Sequence, residues 1–144
     1  MKTFSIIGCG AVGKTVGRLL QQSGSVTVRD ILTRSAASAQ AAADFIGAGR
    51  PVADFNKLER ADLYLVASPD DAIAACVREL CRAELLDRDT TVCHFSGSLG
   101  SGLLEPATQF GARVASLHPV KSFADPAVCV SDFAGTWCGI EGDP

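Results

Sequence analysis

Gly8-Cys9-Gly10-Ala11-Val12-Gly13 stands between a short apolar run, Thr3–Ile7, and an amphipathic stripe made by Val12, Val16, Leu19 and Leu20. A strand, a G-x-G-x-x-G turn and a helix in immediate succession leave few architectures open. The first glycine permits a tight turn. The second lets a ligand approach the backbone, and the third lets the helix pack close to the strand. The helix N-terminus also presents free N–H groups and a partial positive charge, which suits a phosphate.

The rest of the chain repeats the alternation. Val26–Leu32 reads as a second strand, and Ser35 caps a helix whose inner face is Ala39, Ala42, Ala43 and Ile46. Val52–Phe55 is expected to be a short third strand, and Leu63–Ala67 an unbroken apolar fourth. Asp70 or Asp71 is expected to cap the next helix, with Ile73, Cys76, Val77, Leu80 and Cys81 facing inward. Thr91–Phe95 reads as a strand, and Ser96–Ser98 as a turn into a short helix that Pro106 interrupts or restarts. Arg113–Leu117 is a sixth strand and Phe133–Ile140 a candidate seventh. This order predicts one α/β domain over 1–144: a doubly wound, mostly parallel sheet, the Rossmann NAD(P)-binding fold.

Ligands on such sheets lie beyond the carboxyl ends of the strands, so the residues just after each strand carry the functional information. Gly8, Cys9, Gly10, Ala11, Val12 and Gly13 are expected to hold a dinucleotide diphosphate. Thr33-Arg34-Ser35 begins 25 residues after Gly8, where the adenosine ribose falls. An NAD site usually has an acidic residue there; a guanidinium and two hydroxyls favour the 2′-phosphate of NADP. Asp30 lies inside the second strand and is not assigned to the ribose. Ser68 and Pro69 are expected beside the cofactor path.

Both histidines fall near strand ends. His94 reads as a hydrogen-bonded structural residue. His118 sits at the ligand edge, where an imidazole can act as acid or base. Ser96 and Ser98 are candidates to bond the substrate or the nicotinamide carboxamide. Lys121 is a candidate to hold a substrate anion or polarise a carbonyl.

A competing reading exists. Gly8 to Thr15 also spells G-x-x-x-x-G-K-T, a P-loop, with Lys14 and Thr15 as its phosphate and magnesium ligands. Against it, the apolar fourth strand runs into Ser68-Pro69 instead of a metal-binding Asp. A non-catalytic dinucleotide sensor or scaffold is the other alternative.

Thirteen basic and sixteen acidic residues, without a Lys/Arg cluster, argue against nucleic acid as a partner. No apolar run approaches the about 18 residues of a membrane span. The chain enters a strand at once, with no signal-peptide pattern, which leads to an expectation of a cytoplasmic protein. The six cysteines form no C-x-x-C pair and read as small, buried, reduced hydrophobes, and no metal site is expected.

Ser96-Gly97-Ser98-Leu99, Gly111-Ala112 and the run from Ser116-Leu117-His118-Pro119 through Ser122-Phe123-Ala124-Asp125-Pro126 closely resemble the Rossmann-like proteins that carry a DUF2520 domain. That family is similar to pyrroline-5-carboxylate reductase and to the coenzyme-F420-dependent NADP oxidoreductases. The resemblance implies an NADP-dependent oxidoreductase that transfers hydride to or from a small polar carbonyl or imine substrate. It also implies a C-terminal helical domain and a homodimer in the full-length protein, so this chain is expected to be the cofactor-binding portion. Prephenate and arogenate dehydrogenases, more distantly similar, have a working histidine in a His-Pro pair at a strand end; that role transfers to His118 alone.

Overall fold

The computed structural model describes residues 1–144. Seven strands, β1 (Lys2–Ile7), β2 (Val26–Leu32), β3 (Arg50–Val52), β4 (Leu63–Val66), β5 (Thr91–His94), β6 (Arg113–Pro119) and β7 (Cys138–Gly142), form one sheet in the order 3-2-1-4-5-6-7. All neighbours run parallel except β6 and β7, which are antiparallel. The order reverses between β1 and β4, and the crevice opens there.

Five helices flank the sheet: α1 (Ala11–Ser23), α2 (Ala36–Ile46), α3 (Asp70–Arg82), α4 (Glu105–Thr108) and α5 (Pro126–Ser131). Alternating strand residues feed two cores. Phe4, Ile6, Val28, Ile31 and Leu65 pack with Val16, Ala42, Ala43 and Ile46 from α1 and α2. Ile7, Leu32, Tyr64, Val66 and Val92 pack with Ile73, Val77 and Leu80 from α3 on the opposite face. The four expected inner residues of α2 are all buried, and the Ser35 hydroxyl accepts from the Ser38 amide at 3.1 Å as its N-cap.

Several expected elements differ. The third strand is Arg50–Val52, not Val52–Phe55. The Asp54 carboxylate accepts from the Asn56 amide and bends the chain into a 3₁₀ turn, Phe55–Lys57, that leaves the sheet. Pro51 is tolerated because β3 is an edge strand. Neither Asp70 nor Asp71 caps α3: Pro69 holds the N-cap position, and the Asp70 side chain is turned to another task. Ser96–Gly100 is a loop; the short helices begin at a 3₁₀ turn, Ser101–Leu104, and continue into α4 with Pro106 in its first turn. The seventh strand starts at Cys138 rather than Phe133. All five of its residues are exposed, so it lacks the apolar alternation that marks a strand in sequence. Helix α5, capped by Asp125, escaped the sequence reading and packs against α1.

Asp30 is fully buried and engaged: Arg50 donates to it through Nε at 2.8 Å and Nη2 at 3.1 Å, and the Glu59 amide donates at 2.7 Å. All six cysteines are free; Cys93 and Cys129 are buried, but Cys138 is exposed, contrary to expectation. No helix is long and apolar enough to cross a membrane.

Candidate functional site

The β1–α1 turn is built around close contact with β4. Gly8 has φ +75°, and a Cβ there would lie 2.8 Å from the Ser68 backbone. Gly13 packs so that a Cβ would meet Gly8 O at 3.0 Å and the Ala67 methyl at 3.1 Å. Gly10 differs: its Cβ position is empty to 4 Å, and it is the N-cap of α1 without a side chain to satisfy the first amides. The three glycines thus seal the turn on the inside and leave it bare on the outside. A cavity of about 550 Å³ opens over this bare face, lined by Gly8 to Val12, Thr33, Arg34, Ser38, Ala67, Ser68, Pro69 and Phe123.

A second cavity of about 450 Å³ adjoins it toward β3. Gly8, Thr33, Arg34, Ser68 and Pro69 line both. The second also has Ile7, Leu32, Ala53, Phe55 and Ala72 as an apolar floor, with Asp54, Asn56, Cys76 and Glu79 at its margins. Of these, Ser38, Asp54, Asn56 and Glu79 had no signal in the sequence, and Phe123 entered only through the family resemblance.

The Thr33-Arg34-Ser35 group divides its labour. Thr33 Oγ1 donates to Ser35 O at 2.9 Å and accepts from Ser38 Oγ at 2.8 Å, while Ser35 Oγ caps α2. The two expected ribose hydroxyls are therefore spent on starting α2, and Ser35 lines neither cavity. Arg34 is exposed, makes no hydrogen bond or ion pair within the chain, and lines both cavities.

The P-loop alternative loses its metal ligand. Thr15 is buried and its Oγ1 donates to Ala11 O at 2.7 Å, inside α1. No group of three His, Cys, Asp or Glu residues is arranged to hold a metal ion. The Cys9 thiol is pushed up to about 12 by burial, with the Lys14 charge opposing only in part, so it stays protonated and inert near neutral pH.

The β5–β6 edge holds the candidate chemical residues. His94 is fully buried: its Nδ1 accepts from the Ser96 amide at 3.0 Å, which leaves the proton on Nε2 to bond Gly100 O at 2.8 Å. It ties both ends of the Ser96–Gly100 loop together, a structural role. The Ser96 hydroxyl is buried and donates to Asp70 Oδ2 at 2.9 Å while accepting from the amides of Ser98 and Leu99. Ser98 Oγ donates to the same carboxylate oxygen at 3.1 Å. Asp70 follows Pro69 directly, so it staples the β5 loop to the wall of the cavity over the β1–α1 turn. Asp70→Ala is expected to cost about 1–2 kcal/mol of stability, because the buried Ser96 hydroxyl loses a charged acceptor; urea unfolding measures it.

His118 lies against this loop. A Cβ on Gly97 would meet its Cε1 at 2.5 Å, so the ring rests on the bare glycine backbone between the two serines. It faces a third cavity of about 450 Å³ shared with Ser96, Ser98, Ser116 and Glu141. Lys121 lines none of the three cavities: its Nζ is paired with Asp132 Oδ1 at 2.7 Å, and the side chain is only 17% exposed. Glu141, from β7, went unnoticed in the sequence. Its carboxylate accepts from Ser101 Oγ at 2.7 Å and Ser101 N at 2.8 Å, and those bonds hold its pKa below the ordinary value.

Solved structures share the fold. A Bacteroides fragilis protein provisionally named an NADP oxidoreductase is 18% identical, with a TM-score of 0.82 over 99% of this chain and 52% of that one. Arogenate dehydrogenase from Synechocystis is 18% identical, with a TM-score of 0.70 over 85% of this chain and 42% of that one. Prephenate dehydrogenase from Aquifex aeolicus, solved with hydroxyphenyl propionate and NAD+, is 22% identical, with a TM-score of 0.66 over 83% of this chain and 42% of that one. At these identities the likeness is one of fold, and this chain spans about half the length of each. No curated protein sequence matches the chain. The sequence family described as the Rossmann-like domain matches residues 2–119, spanning β1 through the end of β6, and the chain therefore belongs to the Rossmann-like domain family.

Proposed function

We propose that this chain binds a nicotinamide dinucleotide, with NADP preferred over NAD, as the cofactor-holding portion of an oxidoreductase. The observation that carries the reading is the β1–α1 turn: Gly8 and Gly13 packed tight on the protein side, Gly10 open on the other, and uncapped helix amides facing the gap. That shape fits a diphosphate, because backbone donors and the helix dipole need a ligand with no intervening side chain. The adjoining apolar cavity suits a flat base such as adenine, and the unpaired Arg34 between the two cavities suits a 2′-phosphate. The dinucleotide supplies hydride; the chain supplies orientation and the polar edge at His118. The substrate class in this reading is a small polar carbonyl or imine.

The test is titration of the chain with NADPH and NADH by fluorescence and calorimetry. Saturable NADPH binding is expected, tighter than NADH. Arg34→Ala is expected to weaken NADPH by about 1.5–3 kcal/mol and leave NADH unchanged, as for the loss of one charged hydrogen-bonded contact. Equal loss for both cofactors contradicts the ribose-phosphate role of Arg34, and absent NADPH binding contradicts the function.

A further inference from the structure

We infer that Phe123 packs against the nicotinamide half of the bound dinucleotide, and that residues 120–125, the strap joining β6 to α5, hold it in place for that contact. The inference rests on the proposed function for the cofactor and goes beyond it by naming the side chain that meets the nicotinamide. Phe123 lies past residue 119, where the match to the Rossmann-like domain ends.

Placement is the first argument. Phe123 is half-buried, yet it joins neither hydrophobic core of the sheet. It stands in the wall of the cavity over the β1–α1 turn, and no other aromatic side chain lines that space. The sheet order puts β2 and β6 on opposite sides of the crevice between β1 and β4. Arg34 follows β2 and Phe123 follows β6, so the two reach the glycine turn from opposite sides. A dinucleotide centred on that turn by its diphosphate, with its 2′-phosphate at Arg34, sends its other half toward the β6 side. The flat nicotinamide meets the Phe123 ring there, and packing the two rings together removes apolar surface of both from water.

The anchoring of the strap is the second argument. Lys121 Nζ pairs with Asp132 Oδ1 at 2.7 Å, beyond the far end of α5. The buried Cys129 thiol donates to Ser122 O at 3.4 Å. Asp125 caps α5, accepting from the Ala127 amide at 2.9 Å. Residues on both sides of Phe123 are therefore tied to α5, and α5 packs against α1, the helix whose first turn borders the cavity. A loop aromatic left free would lose conformational entropy on meeting a ligand; one fixed beforehand loses little. Lys121, offered by the sequence as an anion holder, thus serves the cofactor indirectly, by fixing the strap.

The probes are NADPH, NADH and adenosine 2′,5′-bisphosphate, which keeps the adenosine and the 2′-phosphate but lacks the nicotinamide half. Each is titrated by calorimetry into the wild-type, Phe123→Ala, Phe123→Tyr and Arg34→Ala chains. Phe123→Ala is expected to weaken NADPH and NADH alike, about tenfold, the usual loss for one base stacked on an aromatic ring. It is expected to leave the bisphosphate unchanged, a result that a general loss of folding would not give. Phe123→Tyr keeps the ring and is expected to bind both dinucleotides as the wild type does. Arg34→Ala is expected to do the converse, weakening the bisphosphate and NADPH and sparing NADH. Equal loss of the bisphosphate and the dinucleotides in Phe123→Ala overturns the inference, and so does a Phe123→Tyr chain as weak as Phe123→Ala. A wild-type chain that binds no NADPH overturns the proposed function and this inference with it. A wild-type chain that binds NADPH, with affinity unchanged in Phe123→Ala, overturns the inference alone.

Discussion

Gly10→Asp is expected to leave the chain folded and remove its affinity for NADPH. Gly10 sits at φ −77° and ψ −155°, extended backbone open to any residue, and a side chain there meets nothing within 4 Å. It is also the N-cap of α1, where aspartate outranks glycine by a few tenths of a kcal/mol because its carboxylate accepts from the free amides of the first turn. Thermal stability is therefore expected to hold or rise slightly. The same carboxylate would occupy the space proposed for a diphosphate, consume its donors and repel its charge. Affinity is expected to fall at least 100-fold, about 2.8 kcal/mol. Fluorescence titration beside a thermal melt reads both effects, and a variant that melts normally and binds NADPH as before would show that the dinucleotide lies elsewhere.

Two residues earlier the opposite outcome is expected. Gly8→Ala should destabilise the fold itself by about 2–5 kcal/mol, the combined effect of left-handed backbone on a residue with a Cβ and overpacking. Its φ is +75°, and the new methyl would lie 2.8 Å from the Ser68 Cα and amide nitrogen, which are backbone and cannot rotate away. Relief requires β1 and β4 to part at the point where the sheet order reverses. On a total stability of about 5–15 kcal/mol, that loss is large. Urea unfolding should move to lower midpoint without a change of slope. A loss below about 1 kcal/mol would mean that the turn relaxes freely and is not the rigid cradle described above.

The two glycines illustrate how legible the chain was. The G-x-G-x-x-G spacing identified the turn and gave its glycines separate roles, and the packing adds what a side chain would meet at each: backbone at Gly8, open space at Gly10. The same holds at the ribose edge. Spacing from Gly8 singled out Thr33, Arg34 and Ser35 together, but the hydrogen bonds commit Thr33 and Ser35 to the start of α2 and leave Arg34 free. At β5, Ser96 read as a substrate ligand because a hydroxyl at a strand end is usually available; its commitment to Asp70 crosses 26 residues of chain and has no local signature.

Local rules were therefore enough for the order of strands and helices as far as β6, the buried face of α2, the doubly wound sheet and the glycine turn, because each depends on the pitch of one element or on a turn a few residues long. Contacts between distant segments decided the rest: the antiparallel β7, the pairing that withdraws Lys121, and the approach of Glu141 to Ser101 across 40 residues. Those residues are polar, so no hydrophobic periodicity records their position. Their partners are chosen by geometry that exists only once the sheet has closed around the crevice.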